Sequence, residues 1–387
     1  MSGLAIHEEK TVPGTILLDY GCSEWRASSQ RVADFYNDGV KLWKKEDFTD
    51  IEQQLAQTLT IEKFAVRRID GSIVYIKNPM FGVQKPIWTP VVMFQEYWRL
   101  VFSQPNGPPE AYTCTYLIDW KNTTIRDFDG PFDRIQTLFE NFQAKWRSST
   151  VCDAFTSQFC KFLDGNGNPK KITKIICFGL GDLHVKPWHW WSEENNRKPE
   201  NERRAETIFI EGALVHHAMA LTIANVARSY AEDENIGIKL LTQDPAYTNE
   251  SKIFLRDIGF ELVGEYGAGG FAELDDKSIV FSAFASAPIQ QIIADLARPV
   301  MVICSKSIKA TLNRLEKPFS DPESPRTTQM WKEYESWKFP APLEDELLSE
   351  GSLHQFVMSS RLLSQITRDD SLVHMELNSA RSSLSDV

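Results

Sequence analysis

From Lys174 to Cys304 the chain alternates between short apolar runs and amphipathic segments, and this alternation limits its fold more than any other feature. Lys174–Gly179 (KIICFG) is apolar without a break, the pattern of a strand buried on both faces. A long helix is predicted over Glu206–Tyr230, a strand over Ile238–Thr242, and a helix over Asn249–Ile258. Strands follow at Phe260–Val263 and Ser278–Phe284, then a helix at Ala287–Ala297 and a last strand at Pro299–Cys304. Strands separated by helices predict an α/β fold, a Rossmann-like, mostly parallel sheet with helices on both faces.

The flanks read differently. Residues 1–130 form an α+β region, with its first 30 residues weakly ordered. Apolar spacing between Val32 and Leu59 predicts one or two helices, and Asp70-Gly71 sets a hairpin between Phe64–Ile69 and Ser72–Ile76. Tyr112–Trp120 is a further strand, and no catalytic signature is visible in this region. The α/β domain spans 131–340 and opens with helices over Pro131–Trp146 and Thr150–Leu163, the second stopped at Asp164-Gly165. Prolines after Pro318 predict an extended wrap. Residues 341–387 form an acidic, serine-rich tail with a short helix at Ser352–Ile366; this tail is the expected surface for a protein partner.

Charge and composition remove several function classes. The 42 Lys and Arg against 53 Asp and Glu leave a net charge of −11, which speaks against broad binding to a phosphate backbone. No run reaches the ~18 apolar residues of a membrane span, and Met1–Pro13 lacks a signal-peptide pattern. Six cysteines without a C-x-x-C pair fit a reduced, cytoplasmic or nuclear protein with no structural metal site.

Several constellations could hold a ligand. Gly179-Leu180-Gly181-Asp182 follows the first strand, where a Rossmann-like sheet turns tightly beside its ligand. The full dinucleotide fingerprint is missing, and a polar insertion from His184 to Arg204 precedes the helix. Asp244-Pro245-Ala246-Tyr247 follows the second strand; Asp244 is placed to accept ribose hydroxyls or, equally, to cap a turn. Ser282 lies near the end of the fourth strand, Ser278–Phe284, where α/β active sites gather. The ligand-contact set is therefore Gly179, Gly181, Asp182, Asp244, Tyr247 and Ser282, with an adenosine-containing cofactor or haem as the candidates. HVKPWHWW (His184–Trp191) is either a lid over a flat ligand, a source of haem ligands, or packing. His216 and His217 diverge by ~100° on one helix, so both cannot bind one metal from the same face. No G-x-S-x-G elbow is present, and no catalytic residue is assigned.

The succession IICFGLGDL, HHAMALTIA, LLTQDPAYTNESKIFLRDIGFELV and GGFAELDDKSIVFSAFASAPIQQIIADLARPVMVIC, followed by DPESPRTTQMWKEY, resembles the sensitivity-to-red-light-reduced (SRR-like) domain family, in its ascomycete branch, over about residues 145–340. The resemblance implies a Rossmann-like domain. It also implies a connection with light and circadian signalling, haem metabolism or the cytoskeleton. It carries over Gly179, Gly181, Asp244, Pro245 and the Phe271/Asp275 region as family-pattern positions. Many relatives have a Pro-His-Cys-like element where this chain has Ser282-Ala283-Phe284-Ala285-Ser286. The expected function is a small-molecule-sensing or regulatory protein. The alternative is an accessory enzyme of fungal secondary metabolism, either an adenosine-cofactor transferase or a former of peptide bonds from aminoacyl-tRNA. A basic face at Arg197, Lys198, Arg203 and Arg204 would favour the tRNA version.

Overall fold

The computed structural model describes residues 24–123, 132–165, 172–231, 237–305, 321–339 and 356–361. The expectations for residues 1–23, and for the tail apart from 356–361, lie outside the described residues. The N-terminal region contains helices α1 (Glu24–Asn37), α2 (Lys45–Ala56) and α3 (Tyr97–Val101). Strands β1 (Lys63–Arg67) and β2 (Ile73–Lys77) form the hairpin around Asp70-Gly71. Strands β3 (Trp88–Phe94) and β4 (Tyr116–Asn122) form a second antiparallel pair. Pro90 has no N–H to donate, which a two-stranded sheet tolerates and a central strand would not.

Helices α4 (Ile135–Arg147) and α5 (Thr150–Gly165) lead into the main sheet. There β5 (Lys174–Phe178), α6 (His189–Arg197), α7 (Glu211–Ser229), β6 (Lys239–Gln243), α8 (Asn249–Asp257) and β7 (Glu261–Leu262) follow in order. The chain continues through α9 (Gly269–Ala272), β8 (Ser278–Ser282), α10 (Ile289–Leu296) and β9 (Met301–Ser305). It adds α11 (Pro325–Trp331), β10 (Tyr334–Lys338) and β11 (Phe356–Arg361). The seven strands lie in the order β10-β11-β9-β8-β5-β6-β7. β9, β8, β5, β6 and β7 are parallel, whereas β11 runs antiparallel to both of its neighbours.

Two expectations are corrected here. Phe356–Arg361 is a strand rather than part of a helix over Ser352–Ile366, because the exposed flank of β9 supplies a hydrogen-bonding edge that local helical spacing cannot outweigh. The stretch after Pro318 is not a plain extended wrap where it is described. Ser324 caps α11 through the Thr327 N–H, Pro325 fits the first helical turn, and β10 closes the sheet.

Side chains alternate across the sheet, and each face has its own core. Ile175, Cys177, Leu240, Ile279, Phe281, Met301 and Ile303 pack with α4, α5, α7 and α8. Ile176, Phe178, Leu241, Val280, Val302 and Cys304 pack with α10, α9 and α11 and with the N-terminal region, including Trp43, Phe48 and Tyr97. The N-terminal region is thus the cover of one sheet face.

Two carboxylates fasten that cover. Asp295 on α10 accepts the Leu42 and Trp43 N–H groups at 2.7 and 3.2 Å and pairs with Arg326 at 2.6 Å. Arg326 in turn donates to the carbonyls of Tyr36 and Val40 and lies 3.8 Å over the Tyr36 ring. Glu52 on α2 accepts the N–H groups of Tyr266, Ala268 and Gly269 in the loop entering α9. Replacing Asp295 with Ala leaves Arg326 without its counter-charge and two buried amides without their acceptor; urea denaturation should show a loss of about 3–5 kcal/mol.

Asp321 supplies a pH test of the same neighbourhood. Its Oδ2 accepts the Gln290 N–H at 2.8 Å near the start of α10. Burial, reinforced by the Glu96 charge, pushes the carboxyl up to about 7 against the pull of that N–H. Between about pH 4 and 7 the folded state therefore holds a proton that the unfolded state has released, so stability falls as pH rises. Relative to Asp321→Asn, the wild type should lose unfolding free energy across that window; a constant difference would refute the assignment.

Candidate functional site

The five parallel strands reverse their order between β5 and β8. β5→β6→β7 runs to one side and β8→β9 to the other. Crevices at the carboxyl ends of strands flanking such a reversal are where open α/β sheets bind ligands. A cleft of about 490 Å³ lies there, within the range of small-molecule sites. Phe178 and Gly179 from the end of β5, Gln243 and Asp244 from β6, and the Phe284–Pro288 loop after β8 form the sheet side. Val91–Phe94, Glu96, Arg99, Asn106, Asp119 and Lys121 form the opposite side.

Backbone hydrogen bonds tie the three strand exits together. Gly179 N–H donates to Gln243 O at 3.0 Å, and Gly179 O accepts the Phe284 N–H at 2.9 Å. Gly179 has φ +62°, and a Cβ there would stand 2.3 Å from Ala285 N. The bare side of this glycine thus faces the protein's own β8 exit. Gly181, at φ +90°, sits against Ala213 of α7.

Asp244 accepts the Gly181 N–H through Oδ2 and the Ala246 N–H through Oδ1, both at 2.9 Å. Burial holds its carboxyl above the usual range, opposed by those two N–H groups and by the charge of Lys121. Turn closure therefore occupies one acceptor position on each oxygen and leaves the other.

The sequence-predicted set divides in space. Gly179 and Asp244 line the cleft, whereas Gly181, Asp182, Tyr247 and Ser282 are absent from its lining. Asp182 accepts the backbone N–H groups of His184 and Thr248 and so fixes the start of α8. Tyr247 belongs to a buried relay. His217 Nδ1 lies 2.7 Å from the Ala213 carbonyl, which can only accept, so Nδ1 carries the proton and Nε2 accepts from Tyr247 Oη at 2.9 Å. Tyr247 Oη accepts in turn from Thr242 Oγ1 at 2.8 Å. Burial holds His217 at about 3, so the relay stays neutral. Ser282 is buried in β8.

The tryptophan insertion lies apart from the cleft lining. Trp188 and Trp190 stack at 5.6 Å, Trp191 meets Phe209 edge-on at 5.1 Å, and Trp190 is 58% exposed. His184 is buried against Ser251 Oγ at 2.9 Å, and no histidine or cysteine lines the cleft among the described residues. The haem-ligand types in the lining are thus confined, among the described residues, to the Met93 thioether and the Tyr266 hydroxyl. Arg197 lies beside Glu193, and Arg203 donates to the carbonyls of Lys198 and Asn196, so the insertion's basic residues are interleaved with acidic and backbone acceptors.

Sequence reasoning missed the cleft's second wall. Phe94, Glu96, Arg99 and Lys121 belong to a region without a recognised motif; the one local signal was the polar alternation of Asp119 and Lys121 on β4.

These features define an α/β protein with a small-molecule-sized cleft at the carboxyl edge of its sheet. The SRR1 domain model matches residues 138–360, more than half of the chain, and the chain belongs to the SRR1 domain family. No curated protein and no solved structure matches it.

Gly179→Ala tests the crossing at the first turn. The added methyl would collide with Ala285 in a backbone conformation unfavourable for alanine, and denaturation should show a loss of at least about 2 kcal/mol.

Proposed function

We infer that this SRR1-domain protein is a small-molecule-binding regulator whose ligand enters the cleft at the ends of β5, β6 and β8. The cleft's position at the reversal of strand order carries this reading. The 3-2-1-4-5 order of the parallel strands, counted from β5, supports assigning the sheet to the Rossmann-like group. All five cysteines among the described residues are free and four are buried, which supports a reducing, cytoplasmic setting.

A second reading, a transferase using an adenosine-containing cofactor, draws on Asp244 at the exit of the second parallel strand beside the glycine turn of the first. In both readings the same cleft is filled. Asp244 orients hydroxyl groups, and the β8 exit loop closes one side.

The test is thermal denaturation with a panel of nucleotides, adenosylmethionine and haem. A true ligand at about 100 times its Kd should add about 2.7 kcal/mol of stability. Ala287→Trp, placed in the cleft lining, should remove that gain while leaving a cooperative transition. No gain with any panel member, or an undiminished gain in the variant, would overturn the reading.

A further inference from the structure

The two walls of the cleft differ in chemistry. The sheet side supplies rings and an acceptor. Phe178 stacks on Phe271 at 4.6 Å with 15° between the planes, both rings almost wholly buried, and Phe284 stands 55% exposed in the lining. Asp244 retains two acceptor positions beside them. The N-terminal side supplies both cations of the lining, Arg99 and Lys121.

Three partly shielded cations elsewhere in this protein carry a bonded counter-charge. Arg67 binds Asp47 at 2.6 Å, Arg326 binds Asp295 at 2.6 Å, and Arg298 binds Glu333 at 3.2 Å. Among the described residues, neither the half-buried Arg99 nor Lys121 has a carboxylate within 4.0 Å. Glu96, at the start of α3, attracts Arg99 through space. Its two oxygens, however, accept the N–H groups of Trp98 and Arg99 at 2.6 Å and serve as the helix cap. A guanidinium in a cavity wall without a bonded counter-charge is poised for an incoming anion.

We propose that the cleft takes a nucleoside-type ligand bearing a carboxylate or phosphate. The base lies against the exposed Phe284 ring, Asp244 accepts sugar hydroxyls, and Arg99 with Lys121 holds the acid. The proposal rests on the small-molecule reading above and narrows it to one ligand class, chosen by the N-terminal wall rather than by the sheet.

Isothermal titration of the full chain with adenosine, guanosine, their monophosphates and S-adenosylhomocysteine tests it. At least one acidic compound should bind about 10- to 100-fold more tightly than its neutral nucleoside. A gain for a monophosphate identifies phosphate as the anion; a gain for S-adenosylhomocysteine that the double variant below abolishes identifies its carboxylate, whereas one that survives belongs to its ammonium or thioether chain. The double variant Arg99→Gln/Lys121→Gln should erase the gain while keeping its melting temperature and its weak binding of the neutral nucleoside. The proposal is overturned if the acidic compounds bind no better than the neutral ones, or if the gain survives in the double variant. Binding of a neutral, non-nucleoside ligand in the cleft with no response to these five compounds would sink it while leaving the small-molecule reading intact. Failure of every compound, including the wider panel, would remove both.

Discussion

One face of the sheet is apolar along β5, β6, β8 and β9, and helices from the α/β portion alone do not cover it. The rest of its cover comes from the N-terminal region, whose Leu42-Trp43 segment is held by the Asp295 carboxylate more than 250 positions later in the chain. That side chain is nearly dry, and it accepts two backbone N–H groups at Leu42 and Trp43 while neutralising Arg326. A charge in such surroundings is tolerable only when paired and hydrogen-bonded, so the position of the 36–43 segment and that of α11 are fixed by the same atom group. Glu52 does the corresponding work at the loop entering α9, where three N–H groups converge on it.

How much of this was legible from the residues depended on the range of the forces involved. The parallel strands announced themselves because burial on both faces demands continuous apolar runs such as KIICF, and the β1–β2 hairpin did so through Asp70-Gly71. β3 was hidden by Pro90, β10 by its polar sequence YESWK, and β11 by a segment whose pairing partner, β9, lies about 50 residues away. In each case the deciding hydrogen bonds are non-local, and local propensity carries no record of them.

The site was half legible for the same reason. Gly179 and Asp244 sit where general rules for open α/β sheets place ligand contacts, and both line the cleft. Tyr247 and Asp182 lie close to them in sequence, yet they face the relay through His217 and the start of α8. A shift of a few positions along a turn was enough to send a side chain into the core instead of the crevice. Arg99 carried no signal and Lys121 only the polar alternation of β4, since only folding brings β4 and α3 to the sheet edge.

The boundary of the family match falls inside the architecture rather than beside it. Residues 138–360 include the sheet, but Val91–Phe94, Glu96, Arg99, Asn106, Asp119 and Lys121 stand outside it and form a whole flank of the cleft. The domain that defines the family is therefore one jaw, and the preceding region is the other. A change confined to the preceding region would therefore reshape one flank of the cleft while leaving every residue of the family match as it is.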